Sequence, residues 1–361
     1  MIRTREGRVL RRLSSRPGAV ELTIEVDGEG EFRALAYPRL VGMPAPGDTV
    51  LVNTTAVALG LGTGGYLLVI AILSRAAAPA EAGAGHVVKA RYLPMQAVVL
   101  GVDEDASPHR EAMLATSSLD GTPVVVADLH SALPAVVAGV RAERPGARVA
   151  YVMTDGGALP AWFSRTLAGL DAAGWLAGVV TSGQSFGGTL EAVTVHSGML
   201  ACRAVLGADV LVVSQGPGSL GTAAPWSFTG VAAGEAVNAA HVLGGRPVAA
   251  LRISGADPRE RHRGLSHHSR TAYGLVALAA ADVVVPAGLP DELARAVRAG
   301  LRPLAGRHRI VDVDTDGLLP ALQLCPVPLV SMGRGLDEDP SYFLAAAAAG
   351  RHAARLLSSL S

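Results

Sequence analysis

Between residues 251 and 273 the chain reads LRISGADPRERHRGLSHHSRTAY, which puts Arg252, Arg259, Arg261, Arg263 and Arg270 together with His262, His267 and His268 after an apolar run. Guanidinium groups grip carboxylates and phosphates. Imidazoles move protons near neutral pH and ligate metals. Nothing else in the sequence is as dense in such groups. Gly264 permits a sharp turn, and Ser266 is placed to cap a helix starting near His267. Arginines beside a helix N-terminus make a site for an anion. The plainer alternative is a solvated loop in which Asp257 and Glu260 pair with the arginines.

Four further stretches carry groups of the same kind. PVVVADLHS supplies Asp128 and His130, and RVAYVMTDGG supplies Asp155, Gly156 and Gly157. LAGVVTSGQSFGG supplies Ser182, Gln184, Gly187 and Gly188, and DVLVVSQGPGSLG supplies Gln215, Gly216 and Gly218. Each set directly follows an apolar run, whereas the loops before those runs (RPGA, LDAAG, VLGA, LGGR) are short and plain. Glycine turns alone do not explain this one-sided placement. It is the pattern of a parallel sheet whose ligand lies outside the carboxyl ends of its strands.

The elements needed to hold such loops are legible from about Gln96 onward. Apolar runs AVVLGV, PVVVADL, RVAYVMT, LAGVVTS, DVLVVSQ, PVAALRIS, DVVVPAG, RIVDVDT and PLVSMG alternate with segments of helical composition such as SALPAVVAGVRAER, GTLEAVTVHSGMLACRAVLG and DELARAVRAGLRPL. Continuous apolar strands are those buried on both faces. The expectation is an α/β domain over 96–361 with a doubly wound, mostly parallel sheet, closed by a helix in DPSYFLAAAAAGRHAARLLSSL. Before it, ELTIEVDG, EFRALAY, GDTVLVNTT, GYLLVIAIL and HVVKARY read as five short strands. These predict a small SH3-like or OB-like β-barrel over 1–95, with AAAPAEAGAG at 76–85 as an exposed hairpin or linker.

Composition narrows the chemistry. Half of the 361 residues are hydrophobic and 17% are charged, which suits a packed globular protein in two domains. The net charge is zero, so nucleic acid and acidic membranes are not expected as partners, and aromatic residues on the barrel are sparse. Lys89 is the only lysine, and no Gly-Lys-Ser/Thr phosphate loop exists. Two cysteines, Cys202 and Cys325, give neither a disulfide framework nor a zinc site by themselves. The basic N-terminus lacks an apolar segment behind it, and the longest apolar run, 66–73, is far short of a membrane span. A soluble cytoplasmic protein is expected.

Gly216, Gly218 and Gly221 have dinucleotide-loop spacing, but prolines flank them and no acidic residue follows at the required distance. A glutaminase-like GPG turn would need a nucleophilic Cys in a glycine elbow, and Cys202 lies mid-helix in MLACRAV. A backbone-amide cradle for an anion survives for that loop and for the Gly187-Gly188 loop. Metal binding is the rival: Asp128 and His130, two apart, could share a side, with His262, His267 or His268 completing a set. Against it, adjacent His267 and His268 are not expected to face one point, and arginines repel a cation.

Taken jointly, GDTVLVNTTAV, LGTGGY, GHVVKARYLPMQ, DLHSALP, MTDGGALP, TSGQSFGG, QGPG and RHRGLSHHS resemble a bacterial domain-of-unknown-function family, number 3866. The likeness spans nearly the whole chain. It implies one intact member and carries no mechanism. It directs attention to His86, Lys89, Arg91 and Gln96, where Lys89 and Arg91 would share one strand face toward an interdomain cleft.

The resulting expectation is a hydrolase or transferase that binds an anionic small molecule bearing phosphate or carboxylate. The glycine loops would donate amides, and Arg252, Arg259 and Arg263, with Lys89, Asp257, His262 and Ser266 nearby, would line the ligand. Asp128 or Asp155 would act as base, and His130, His267 or His268 would transfer protons. A ligand-sensing regulator or assembly protein is the first alternative and is favoured by a pocket of donors without a base. A metal-dependent hydrolase is the second and requires three or more converging ligands. Cofactor identity and a homo-oligomeric state are left open.

Overall fold

The computed structural model describes residues 2–62, 64–76 and 83–359; the linker expected at 76–85 lies largely outside them. Five strands, β1 (Thr4–Arg16), β2 (Ala19–Val26), β3 (Gly30–Ala36), β4 (Thr49–Asn53) and β5 (Leu67–Ile72), close a barrel in the order β1-β2-β3-β5-β4. All pairs are antiparallel except β3 with β5. This is the five-stranded Greek-key closure of OB-like barrels. Leu22, Ile24, Ala34, Val50, Val52 and Leu67 fill its interior. HVVKARY was expected among the barrel strands. Instead β1 occupies that place, built from the basic N-terminal stretch, and it buries only Gly7 and Val9.

HVVKARY forms a separate hairpin, β6 (Val87–Lys89) with β7 (Ala97–Val99), so the expected boundary at residue 95 falls inside it. The hairpin docks on the α/β domain, where buried Lys89 Nζ donates to Ala192 O at 2.8 Å. Strand β6 ends at Lys89, and Ala90 and Tyr92 adopt positive φ. Arg91 therefore shares no strand face with Lys89 and is exposed.

Eight strands make the central sheet: β8 (Pro123–Val126), β9 (Val149–Thr154), β10 (Gly178–Thr181), β11 (Leu190–Glu191), β12 (Val210–Gln215), β13 (Arg246–Ala250), β16 (Asp282–Pro286) and β17 (Arg309–Val313). Between β13 and β16 lies a small hairpin, β14 (Ile253–Ser254) with β15 (Gly264–Leu265). The sheet order is β11-β10-β9-β12-β8-β13-β16-β17, and every pairing is parallel. Every residue of β8, β10 and β12 is buried, as strands covered on both faces require.

Helices α1 (Leu133–Glu143), α2 (Arg165–Ala172), α7 (Leu318–Gln323) and α8 (Pro340–Leu356) pack on one face of the sheet. Helices α3 (Val195–Ala204), α4 (Ala232–Val242) and α6 (Asp291–Leu301) pack on the other. The short α5 (His267–Thr271) sits at the sheet's edge. The closing helix α8 is Ala-rich because it crosses α1 at backbone distance. A Cβ on Gly139 would overlap Ala347 O, and one on Gly350 would overlap Val136 O. Among the described residues no helix is long and apolar enough to cross a membrane.

Candidate functional site: a histidine cluster at the sheet's carboxyl edge

From β8 the chain moves to β9 through α1. It later returns, inserts β12 between them, and crosses over β8 to β13 through α4 on the opposite face. The loops leaving β8, β12 and β13 therefore open into the crevice where winding reverses, the usual place for a ligand in such sheets. Asp128 lies just beyond β8, Gln215 ends β12, and Arg252 lies just beyond β13. The β14–β15 hairpin folds residues 255–263 back, with Gly264 at φ +73 making the return. That return brings His262 alongside α5, which Ser266 caps by accepting from His268 N.

His262, His267 and His268 converge. Their ring centroids lie 4.9, 4.9 and 4.5 Å apart for the pairs 262–267, 262–268 and 267–268. One nitrogen from each lies within 4.8 Å of the other two. The expectation that adjacent His267 and His268 cannot face one point is thus overturned. They occupy the first turn of α5, where side chains can lean back over the cap, and strict helical periodicity does not separate them.

Asp128 Oδ2 lies 3.2 Å from His268 Nδ1 and 4.0 Å from Arg252 Nη1. Burial would raise the Asp128 carboxyl, but the His268 hydrogen bond and the Arg252 charge outweigh it and hold the carboxyl below its ordinary value. An ionised carboxylate can only accept, so Nδ1 of His268 donates to it. Arg252 Nη1, 3.2 Å from the same Nδ1, is then a neighbouring donor and not its partner. His262 Nδ1 lies 2.8 Å from Ser266 Oγ, and His267 Nε2 is buried without a hydrogen-bond partner. Burial and then the charges of Arg252 and Arg259 push His262 down to about 3. Burial, His268, Arg261 and Arg270 push His267 down to about 4. Both rings are therefore neutral at pH 7. Phe228 stacks on His268 at 3.8 Å and 3° and fixes the ring plane.

Three arginines of the region are engaged by a fully buried carboxylate. Asp257 accepts from Arg259 through two bonds of 2.9 and 2.8 Å, from Arg334 at 3.0 Å and from Arg252 at 3.5 Å. Arg334 also reaches Asp339, which holds Ser254 and the Gly255 amide. Arg252 and Arg259 thus stiffen the loop around Asp257, while Arg261, Arg263 and Arg270 are exposed. Phe228, Arg334 and Asp339 carried no local sequence signal, since each reaches the site only through tertiary folding.

The other expected residues divide. His130 does not join Asp128, because β8 ends at Val126 and the two-residue periodicity no longer applies. Its Nδ1 lies 3.0 Å from Tyr151 OH and its Nε2 2.8 Å from Ser164 Oγ, and burial pushes it down to about 4. Asp155 Oδ2 accepts from Gln184 N, and Gln184 Oε1 accepts from Arg91 N, so this pair ties the linker hairpin to the sheet and is apart from the histidines. The Gly187-Gly188 loop precedes β11 and not a helix. Its amides already face chain oxygens, Gly187 N to Glu191 Oε1 at 2.6 Å and Gly188 N to Thr181 Oγ1 at 3.3 Å. Ser182 N donates to Met153 O.

Gly156 and Gly157 are needed for close approach, since a Cβ there would strike Gln215 Oε1 and Gly216 O. Gln215 Nε2 donates to Asp128 O at 2.8 Å, and its buried Oε1 has no partner. Gly216 N donates to Thr154 O, while Gly218 is exposed at φ +89. A largely exposed loop separates it from the one-turn helix Thr229–Val231 ahead of α4, so no glycine loop opens directly onto a helix there.

A family model described as "Protein of unknown function (DUF3866)" matches residues 33–350. The chain belongs to that family. No curated protein and no solved structure matches the chain. The match takes in β3 from residue 33, β4 and β5 of the barrel, the whole central sheet and the histidine cluster.

Proposed function

We propose that this DUF3866 member is a metal-dependent hydrolase acting on an anionic small molecule, with the ion held by His262, His267 and His268. The observation that carries the reading is the convergence of three imidazoles within 4.8 Å, two of them steadied through Nδ1 by Asp128 and Ser266. To hold one ion the three rings would have to draw closer together than they stand here. A carboxylate on the far nitrogen of a ligating histidine is the usual way such ligands are oriented.

His262, His267 and His268 would hold such an ion, and the chemistry it would supply when bound is activation of water for hydrolysis. In such a hydrolysis water would add to the phosphorus or acyl carbon as the bond to the leaving oxygen breaks, and that oxygen would take up a proton. Arg261 and Arg270, exposed and close enough to depress His267, supply positive charge for the substrate's anionic part. Through solvent each repels the ion by about 1 kcal/mol or less. That is small beside metal-binding energies on the order of 10 kcal/mol.

The test is hydrolysis of a panel of phosphomonoesters, phosphodiesters and carboxylate-bearing esters by the full chain. Each is assayed after EDTA treatment and after re-addition of Zn²⁺, Mn²⁺ or Co²⁺. Turnover that disappears with EDTA, returns with metal and is lost in His267→Ala supports the reading. Turnover indifferent to EDTA overturns it.

A further inference from the structure

A second cluster lies at the seam between barrel and sheet, apart from the histidines. Glu21 on β2 is buried, and three arginines converge on it. Arg16 donates at 2.7 Å, Arg33 at 3.1 Å, and Arg165, the first residue of α2, through bonds of 2.5 to 3.0 Å. Tyr66 OH accepts from Arg33 at 2.8 Å and from Arg165 at 2.6 Å. Burial would raise the Glu21 carboxyl, but the bonds from Arg165, Arg16 and Arg33 outweigh it and hold it down at about 2. The carboxylate is therefore ionised, and one negative charge faces three positive ones.

Part of this arrangement is a domain clamp. Arg16, with its side chain only 12% exposed, also donates to Trp162 O and Phe163 O and so ties β1 to the loop before α2. Arg33 and Arg165 are different. Their side chains are 52% and 61% exposed, and they border a cavity of about 340 Å³ together with Tyr66, Ser164 and Thr166. Bringing three guanidiniums onto one carboxylate leaves a surplus of positive charge that would attract a further anion. The start of α2 opens into the same cavity; Ser164 Oγ already accepts the Leu167 amide, and the Arg165 and Thr166 amides have no partners within the helix. His130 and Pro217, from the loops after β8 and β12, complete the wall, so the cavity lies on the carboxyl edge of the sheet.

We infer that this seam cavity, framed by Arg33, Arg165, Tyr66 and the start of α2, is an anion site for the phosphate group of a small molecule, separate from the histidine centre. A surplus of two positive charges matches a phosphate dianion. Walls drawn from both domains make it a site that exists only when barrel and sheet are docked. It holds whether or not a metal binds at the histidines.

The experiment is a calorimetric titration of inorganic phosphate into the EDTA-treated full chain at constant ionic strength. Saturable one-site binding is expected, weakened at least tenfold in Arg33→Gln and in Arg165→Gln and unchanged in His262→Ala. Glu21→Gln gives a reading that a mere clamp does not: with the competing carboxylate neutralised, phosphate should bind more tightly. Circular dichroism at the titration temperature shows that each variant is folded. Absence of saturable binding overturns the inference, as does binding that is lost in His262→Ala but indifferent to both arginine changes. A parallel titration with a single-stranded oligonucleotide separates the sources of phosphate. Binding of the oligonucleotide in preference to phosphate, with the same arginine dependence, would reassign the seam to nucleic acid and overturn the small-molecule site.

Discussion

Asp128 Oδ2 stands 3.2 Å from Nδ1 of His268, although 140 residues separate the two in the chain. The sheet makes the meeting possible, because β8 and β13 are neighbours and their loops leave the same edge. An ionised carboxylate there accepts from Nδ1 and so fixes the orientation of the ring.

Asp128→Asn should therefore leave the fold intact and weaken metal affinity by about 10- to 100-fold. Chelator competition with Zn²⁺ measures this directly. Unchanged affinity would mean that Asp128 does not orient a ligand.

Metal should also stabilise the folded chain. At one hundred times its dissociation constant a ligand adds about 2.7 kcal/mol, enough to raise the melting temperature by several degrees. Thermal melts of wild type with and without Zn²⁺ should differ by that much, and melts of His262→Ala should not.

Acid should weaken the metal-free protein through buried neutral histidines. His130, His262 and His267 sit at about 4, 3 and 4, against an ordinary value of 6.5. As pH falls below 6.5 the unfolded chain takes up these protons first, so stability drops with pH until about 3, where the folded state is protonated as well. Urea midpoints at pH 7.5, 6.0 and 5.0 should fall in that order. A flat series would show that these rings are not held neutral.

Removing the carboxylate under the arginines should be costly. Asp257→Ala leaves Arg252, Arg259 and Arg334 without their shared partner, and breaking a buried ion pair costs about 3–5 kcal/mol. Denaturant unfolding of the variant measures it, and a loss under about 1 kcal/mol would mean that solvent takes over the role of Asp257.

The parallel sheet was legible because PVVV, GVVT and VLVVSQ are buried on both faces and read as unbroken apolar runs. Strand β1 was not, because a barrel wall needs only an occasional inward residue, and TREGRVLRRLSSR shows arginines everywhere else. The two-residue β11 is too short to carry a pattern. The loops that follow the apolar runs do gather at the carboxyl edge of the sheet, as a parallel arrangement requires. The pairing of Asp128 with His130 did not hold, since alternation applies only within a strand. The Gly187-Gly188 cradle was misjudged because Glu191, four residues on, turns its own carboxylate into it. Phe228, which stacks on His268, and the Arg334–Asp339 pair, which braces the Asp257 loop, come from distant parts of the chain that only folding brings near.

The most direct measurement is the metal content of the full chain, stripped with EDTA, reloaded with Zn²⁺ or Co²⁺, desalted and analysed by mass spectrometry. The account predicts one retained ion per chain in the wild type and none in His262→Ala or His267→Ala. It also predicts a Co²⁺ visible spectrum of four-coordinate intensity. A wild-type chain that retains no ion, or that holds the same ion in the absence of His267, would contradict it.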